Sequence, residues 1–221
     1  MTNINFYQSL SSFCQQHGAS LVAVSKTKPV SEIEKLYVAG QRVFGENRVQ
    51  ELVEKEAQLP KDIDWHLIGH LQKNKVKYIA PFVAMIHSVD SLKLLQEIDK
   101  QAARNNRVID CLLQFHIAEE ETKFGLDWAE AVDLLSSEEY NAMQQIRIVG
   151  LMGMATFTDN KVQVQKEFRQ LKTYFDNLKS DYFEEAAYFK EISMGMSGDY
   201  ELAVGEGSTM IRVGSLLFGG R

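Results

Sequence analysis

Eight short apolar runs, at 20–26, 43–46, 65–70, 85–89, 110–117, 146–155, 191–196 and 210–218, recur along the chain with longer amphipathic stretches between them. Several, such as Leu21-Val22-Ala23-Val24, are apolar without strict alternation, the pattern of strands covered on both faces in a parallel sheet. An alternation of strand and helix implies right-handed crossovers, and eight strands in one series favour closure into a barrel over an open doubly wound sheet. The expected fold is therefore α/β, a single-domain (β/α)8 TIM barrel spanning 1–221. An extra N-terminal helix is expected over 5–16, where Phe6, Leu10, Phe13 and Cys14 share a face ahead of the first strand. The sequence closes at Arg221, just behind the eighth run, so this leading helix is expected to take the place of a trailing one in the outer ring. No Pro/Gly/Ser-rich linker or short-period repeat interrupts the series.

The intervening stretches carry helix signals. Ser31 with Glu34 has the spacing of a capping box, and Gly40 supplies a stop. Val49, Leu52 and Val53 repeat a core-facing stripe, as do Leu95, Ile98 and Ala102 behind a cap at Asp90 or Ser91. Val164, Phe168, Leu171, Phe175 and Leu178 mark the longest helix, while the signal over 73–80 and 127–135 is weaker.

Composition narrows the function. Lys+Arg 24 against Asp+Glu 30 leaves a net charge of −6, which lacks the electrostatic footprint of a nucleic-acid or anionic-membrane binder. Cys14 and Cys111 stand far apart with no metal or redox spacing, as in a reducing compartment. The N-terminus has no basic segment leading into an apolar one, and no apolar run approaches the ~20 residues of a membrane span. A cytoplasmic protein is expected.

In a barrel, chemistry gathers at the C-terminal ends of the strands. The first run ends on Lys26, directly after apolar residues, and a partly desolvated lysine is a candidate imine-forming nucleophile. Lys28, outside the run, is expected to be solvated. The last two runs lead into the small, glycine-rich turns Ser193-Met194-Gly195-Met196-Ser197-Gly198-Asp199 and Arg212-Val213-Gly214-Ser215, with Ser197 or Asp199 placed to cap a short helix. Backbone N–H groups at such turns suit a phosphate, and barrels often place one after strands seven and eight. A lysine on strand one with a phosphate cradle on strands seven and eight suggests a phosphorylated aldehyde held as an imine.

Six segments carry a resemblance to a known family. They are Ala23-Val24-Ser25-Lys26-Thr27-Lys28, Phe44-Gly45-Glu46-Asn47-Arg48-Val49-Gln50-Glu51, the stretch from Trp65-His66-Leu67-Ile68-Gly69 to Asn74-Lys75, Leu151-Met152-Gly153-Met154, and the two glycine-rich turns. In this order they resemble the pyridoxal phosphate homeostasis proteins (the YggS/PROSC group), one-domain barrels similar to the N-terminal domain of alanine racemase. The resemblance implies binding of pyridoxal 5′-phosphate (PLP) and a role in vitamin B6 balance, without an established turnover. It assigns Lys26 to the internal aldimine and Arg212 to the pyridine nitrogen. It places Ser193, Ser197, Gly214 and Ser215 around the phosphate, with Asn47 and Gly195 close to the cofactor. Ser215 stands where the family usually has threonine, and Gly220 where alanine is commoner.

An arginine carries only donors, so Arg212 would keep the ring nitrogen unprotonated and the ring a poor electron sink. A weak amino-acid racemase is the competing reading. It needs an acid and a base on opposite faces of the substrate, part of which alanine racemases take from a second domain and a partner subunit. A carrier with PLP-dependent apoenzymes as recipients, monomeric, is therefore expected. His66 and His70, ~13 Å apart on a strand, are too distant to share a metal ion. His66 is expected at the pocket mouth, and His87 and His116 as satisfied barrel residues. Met152, Met154, Met194 and Met196 read as core fillers, Lys73, Lys75 and Lys77 as a charged face, and Glu119-Glu120-Glu121 as a solvated loop.

Overall fold

All eight apolar runs become strands. The computed structural model describes residues 2–119 and 124–219. In it, β1 (Ser20–Val24), β2 (Val43–Glu46), β3 (Asp64–Leu67), β4 (Met85–Val89), β5 (Ile109–Phe115), β6 (Ile146–Gly153), β7 (Glu191–Ser193) and β8 (Met210–Val213) form a closed barrel in sequence order. Each strand pairs in parallel with the next, and β1 closes on β8 with Val22 opposite Arg212 and Ala23 opposite Val213.

Alternation along the strands explains the two-sided burial. Leu21, Ala23, Phe44, Trp65, Leu67, Ile86, Cys111, Leu113, Leu151 and Ile211 point outward into the layer shared with the helices. Val22, Met85, Leu112, Val149, Met152 and Met210 fill the barrel itself. Both faces are thus apolar, and water is excluded from both. Two residues beyond Met85, Leu112 and Met210, on the same faces of their strands, stand His87, Gln114 and Arg212, all buried. The barrel interior therefore turns polar toward its C-terminal end.

Six of the eight strands are shorter than their apolar runs, while β2 and β4 match theirs. The eighth run divides at Gly214, after which helix α10 (Ser215–Phe218) begins, with the Leu217 and Phe218 N–H groups returning to the Gly214 carbonyl. Leu217 and Phe218 are buried while Leu216 is exposed, a helical distribution that a short apolar string does not announce.

The outer ring begins with α1 (Ile4–Gln16), which takes the expected place of a closing helix. The Asn3 N–H bonds the Leu217 carbonyl at 2.7 Å, and Phe13 meets the edge of the Tyr200 ring at 5.5 Å. On the other side the Thr2 N–H reaches Glu32 at 2.7 Å, on α2 (Val30–Val38). The capping box expected from Ser31 and Glu34 does not form. Pro29 occupies the N-cap, so Ser31 already lies inside the helix. Gly40 does stop it: at φ +109° it lets its own N–H bond Tyr37 and that of Gln41 bond Leu36, a Schellman closure.

Next come α3 (Val49–Glu56), a 3-10 turn at Lys73–Lys75 running into α4 (Val76–Ile79), and α5 (Leu92–Arg104). Ser91 holds the N-cap position of α5, but its hydroxyl turns to Asp90 at 3.3 Å. The weak signal near 127 resolves into α6 (Trp128–Ser136), opened by a complete capping box between Asp127 and Glu130. Then follow α7 (Glu138–Asn141), the long α8 (Lys161–Tyr182) and α9 (Tyr200–Gly205). The loop expected at 119–121 and the glycine at 220 fall largely outside the described residues. No described helix is long and apolar enough to cross a membrane.

Candidate cofactor site

The C-terminal ends of β8, β1 and β2 lie side by side and bring most of the expected residues to one mouth. Register sets Val213 beside Ala23 and Val24 beside Gly45, so Gly214, Lys26 and Asn47 follow on neighbouring strands. Gly214 has to be glycine, because a Cβ there would stand 2.9 Å from the Val24 carbonyl. Its N–H approaches Ser197 Oγ at 3.4 Å, which joins the β7 and β8 turns. Gly195, at φ +92°, leaves no room for a side chain against Ala203, and its carbonyl accepts the Arg212 N–H at 3.0 Å. Ser215, exposed, opens α10, whose first N–H groups have no intrahelical acceptor. Asp199 holds the N-cap of α9, although its carboxylate binds the Met196 N–H at 2.6 Å rather than the helix end.

Lys26 departs from expectation in one respect. It is exposed rather than desolvated. Lys28 departs in the other direction: it is half-buried, and its ammonium bonds the Phe218 and Gly219 carbonyls at 3.4 and 3.1 Å. Asn47 is half-buried and also lines a groove of about 530 Å³ together with Arg48, Gln50, His70, Lys75 and Tyr78.

Below the mouth runs a buried polar chain. Arg212 donates to Ser193 Oγ at 2.6 Å and to the Gly153 carbonyl at 3.0 Å. Ser193 Oγ also lies 3.0 Å from His87 Nδ1, and His87 Nε2 lies 2.9 Å from His66 Nδ1. Ser193 thus belongs to the guanidinium inside the barrel rather than to the glycine turns. His66 is inside as well, not at the mouth, and His87, buried with both ring nitrogens in hydrogen bonds, is the satisfied barrel residue that was expected. Burial pushes His66 down to about 3. Burial, then the neighbouring His66 and Arg212, push His87 well below the usual imidazole range. Both rings are therefore neutral at pH 7. Burial also lowers Arg212 to about 10, against the pull of Asp199, which leaves it a cation.

Alternation on β3 could have found His66, since Trp65 and Leu67 face the helices and the residue between them must face inward. His70 lies beyond the strand, 3.3 Å from Asp90 and stacked on Phe124. His116 is half-buried past the end of β5. Met152 and Met154 pack in the barrel, Met194 packs in the outer layer, and Met196 is exposed.

An all-donor guanidinium inside the barrel, the hydroxyls and backbone N–H groups of the two glycine turns and a primary amine at the rim form a consistent donor set. It suits a ligand with a ring acceptor, a phosphate and an aldehyde. Residues 5–221 match the family model for the alanine racemase N-terminal domain. The pyridoxal phosphate homeostasis protein of Aquifex aeolicus is 41% identical over 205 residues, covering 92% of this chain and 87% of that protein. The chain belongs to the pyridoxal phosphate homeostasis protein family.

Among solved structures, PipY of Synechococcus elongatus without PLP superposes with a TM-score of 0.88 at 39% identity, covering 96% of this chain and 99% of that one. PipY with PLP bound superposes at 0.84 and 38%, with the same coverage. Alanine racemase of Clostridium difficile shares the fold at a TM-score of 0.77 and 16% identity, with this chain covering 60% of it. The family assignment thus rests on relatives alike over nearly their whole length, and the likeness to racemases is one of fold.

Proposed function

We propose that this protein holds PLP reversibly at the C-terminal mouth of the barrel and serves as a carrier or buffer of the cofactor in vitamin B6 homeostasis. The observation that carries the reading is the buried Arg212–Ser193 pair set beneath the Gly195 and Gly214 turns, one strand away from Lys26. PipY, which is solved with PLP bound, supports it.

PLP brings an aldehyde with which a lysine amine condenses, forming a C=N bond and releasing water. Lys26 Nζ is the amine. Arg212 would offer its donors to the pyridine nitrogen from within the barrel. Ser197, Gly214 and Ser215 would hold the phosphate, with Gly195 and Asn47 beside it. Ser193 holds the guanidinium in place. The exposure of Lys26 suits a cofactor that must leave again.

This protein is not a dedicated enzyme on this reading. It works in the cytoplasm as a monomer, with PLP-dependent apoenzymes as recipients. An unprotonated ring disfavours transamination above all, and a racemase would need in addition an acid and a base on opposite faces of the substrate carbon.

The test is the visible absorption of wild type and Lys26→Ala after addition of PLP, followed by borohydride trapping and peptide mass analysis. A lysine-adduct band in wild type that is lost in Lys26→Ala, with the trapped mass on Lys26, is the expected result. No band in wild type, or a band kept in the variant, would overturn the assignment.

A further inference from the structure

The four residues Ser25 to Lys28 form a turn closed by the Lys28 N–H on the Ser25 carbonyl at 3.0 Å. Thr27 sits in this turn at φ +62°. A β-branched residue rarely adopts that conformation, and it persists only where the surroundings over-determine it. Such strain one residue from Lys26 asks what holds the turn.

The answer lies behind the barrel, on β2 and α3. Lys55 is buried and donates to the Ser25 carbonyl at 2.8 Å and to Glu46 Oε1 at 2.6 Å. Ser25 Oγ donates to the same Glu46 oxygen at 2.6 Å. On the other side of Lys26, Glu51 Oε2 accepts the Thr27 N–H at 2.8 Å and lies 3.3 Å from Lys55 Nζ. The residues before and after Lys26 are therefore both pinned by one charged cluster, and Lys26 itself is left exposed between them.

Stability is a poor account of this cluster. Glu46 is fully buried and its Oε2 has no hydrogen-bond partner. Burial pushes its carboxyl up despite Lys55 and Ser25, and buried ion pairs are often matched or bettered by apolar packing. What the cluster does achieve is a fixed backbone on both sides of one lysine. Holding a reacting group in its productive geometry is a large lever on a covalent equilibrium.

We infer that Glu46, Glu51 and Lys55 are positioning residues that hold the strained Ser25–Lys28 turn and aim Lys26 Nζ at the aldehyde. The inference rests on the reading of Lys26 as the attachment point. It predicts a change in the fraction of bound PLP that is covalently attached, whereas a merely structural cluster would lower total binding and attachment together.

The experiment compares wild type, Glu51→Ala, Glu51→Gln and Lys55→Met. Total bound PLP is measured by equilibrium dialysis and attached PLP by borohydride trapping at Lys26. Glu51 is half-buried at the rim, so Glu51→Ala keeps the test alive if Lys55→Met does not fold. Expected is a fall of about tenfold in attached-to-total ratio in Glu51→Ala and Lys55→Met. Glu51→Gln, which keeps an oxygen for the Thr27 N–H, recovers most of it. An unchanged ratio in Glu51→Ala, or a parallel fall of both quantities, would refute the inference. Absence of attachment in the wild type would instead refute the functional reading on which it stands.

Discussion

The buried histidine pair makes this barrel acid-sensitive in a way that can be traced to one side chain. His66 is held down to about 3 in the folded protein by burial, against an ordinary value of 6.5. A depressed imidazole means that the unfolded chain binds the proton first, so stability falls as pH drops below about 6.5. The loss continues until the folded group also protonates near 3. Each pH unit in that window costs about 1.4 kcal/mol, so His66 alone removes about 2 kcal/mol by pH 5 and about 3 by pH 4. His87, also depressed, adds loss of the same sign. Glu46, raised by burial, works in the opposite direction, so the total slope cannot be attributed without a variant. His66→Asn keeps a polar atom near the position of Nδ1 without a group that titrates in this range. Urea unfolding of both proteins at half-unit steps from pH 5 to pH 8 gives the two stability curves. The wild-type curve should bend downward below pH 6.5, and the variant should lose about 1.4 kcal/mol per unit less there. Curves that run parallel to within about 0.3 kcal/mol would show that His66 does not enter the fold neutral, and the reasoning from its burial would fail.

Two further substitutions test the framework that supports the site. Gly150→Ala would drive a Cβ to 1.8 Å from the Glu191 carbonyl between β6 and β7, and should cost about 3 kcal/mol or more in urea unfolding; a loss below about 1 kcal/mol would mean the strands part easily. Asp127→Ala removes the acceptor for the Glu130 N–H and half of the capping box on α6, for an expected loss of about 1 kcal/mol, and no change in midpoint would contradict the cap.

The strands were legible because a parallel barrel needs residues that are apolar on both faces, and such runs stand out along a chain. Most of their ends were not, although those of β2 and β4 were. Leu216-Leu217-Phe218 reads as more strand until Gly214 breaks the ladder and its carbonyl collects the next turn. Helix starts were misread for a related reason: the Ser31–Glu34 spacing is local, whereas the position of Pro29 decides where the helix opens. At the candidate site, Lys26 and the two glycine turns stand out because lysine after a strand and glycine in a tight turn are visible one at a time, whereas the roles given to Arg212, Asn47 and the serines came from the family resemblance. The chain His66–His87–Ser193–Arg212 could not be named, since its links join residues 21, 106 and 19 positions apart and exist only once the barrel has set their register. The same holds for Lys55, which looks like a surface residue of an amphipathic helix and is in fact buried against Ser25 and Glu46.

On the proposed reading, the hydrogen bonds of Arg212 favour holding a cofactor over working it. A buried guanidinium is ordinarily matched by a carboxylate, yet its partners here are a hydroxyl and a backbone carbonyl, both neutral, and Asp199 acts on it only through charge. The next two members of the chain, His87 and His66, are kept neutral by burial, so no anion enters the barrel from that side. A protonated acid there would hand a proton to a pyridine nitrogen and make the ring an electron sink. Arg212, lowered only to about 10, keeps its protons at neutral pH and offers them as hydrogen bonds. On the proposed reading the barrel thus binds the ring through a donor that does not ionise it. That arrangement favours retention of PLP and disfavours carbanion chemistry with the same set of atoms.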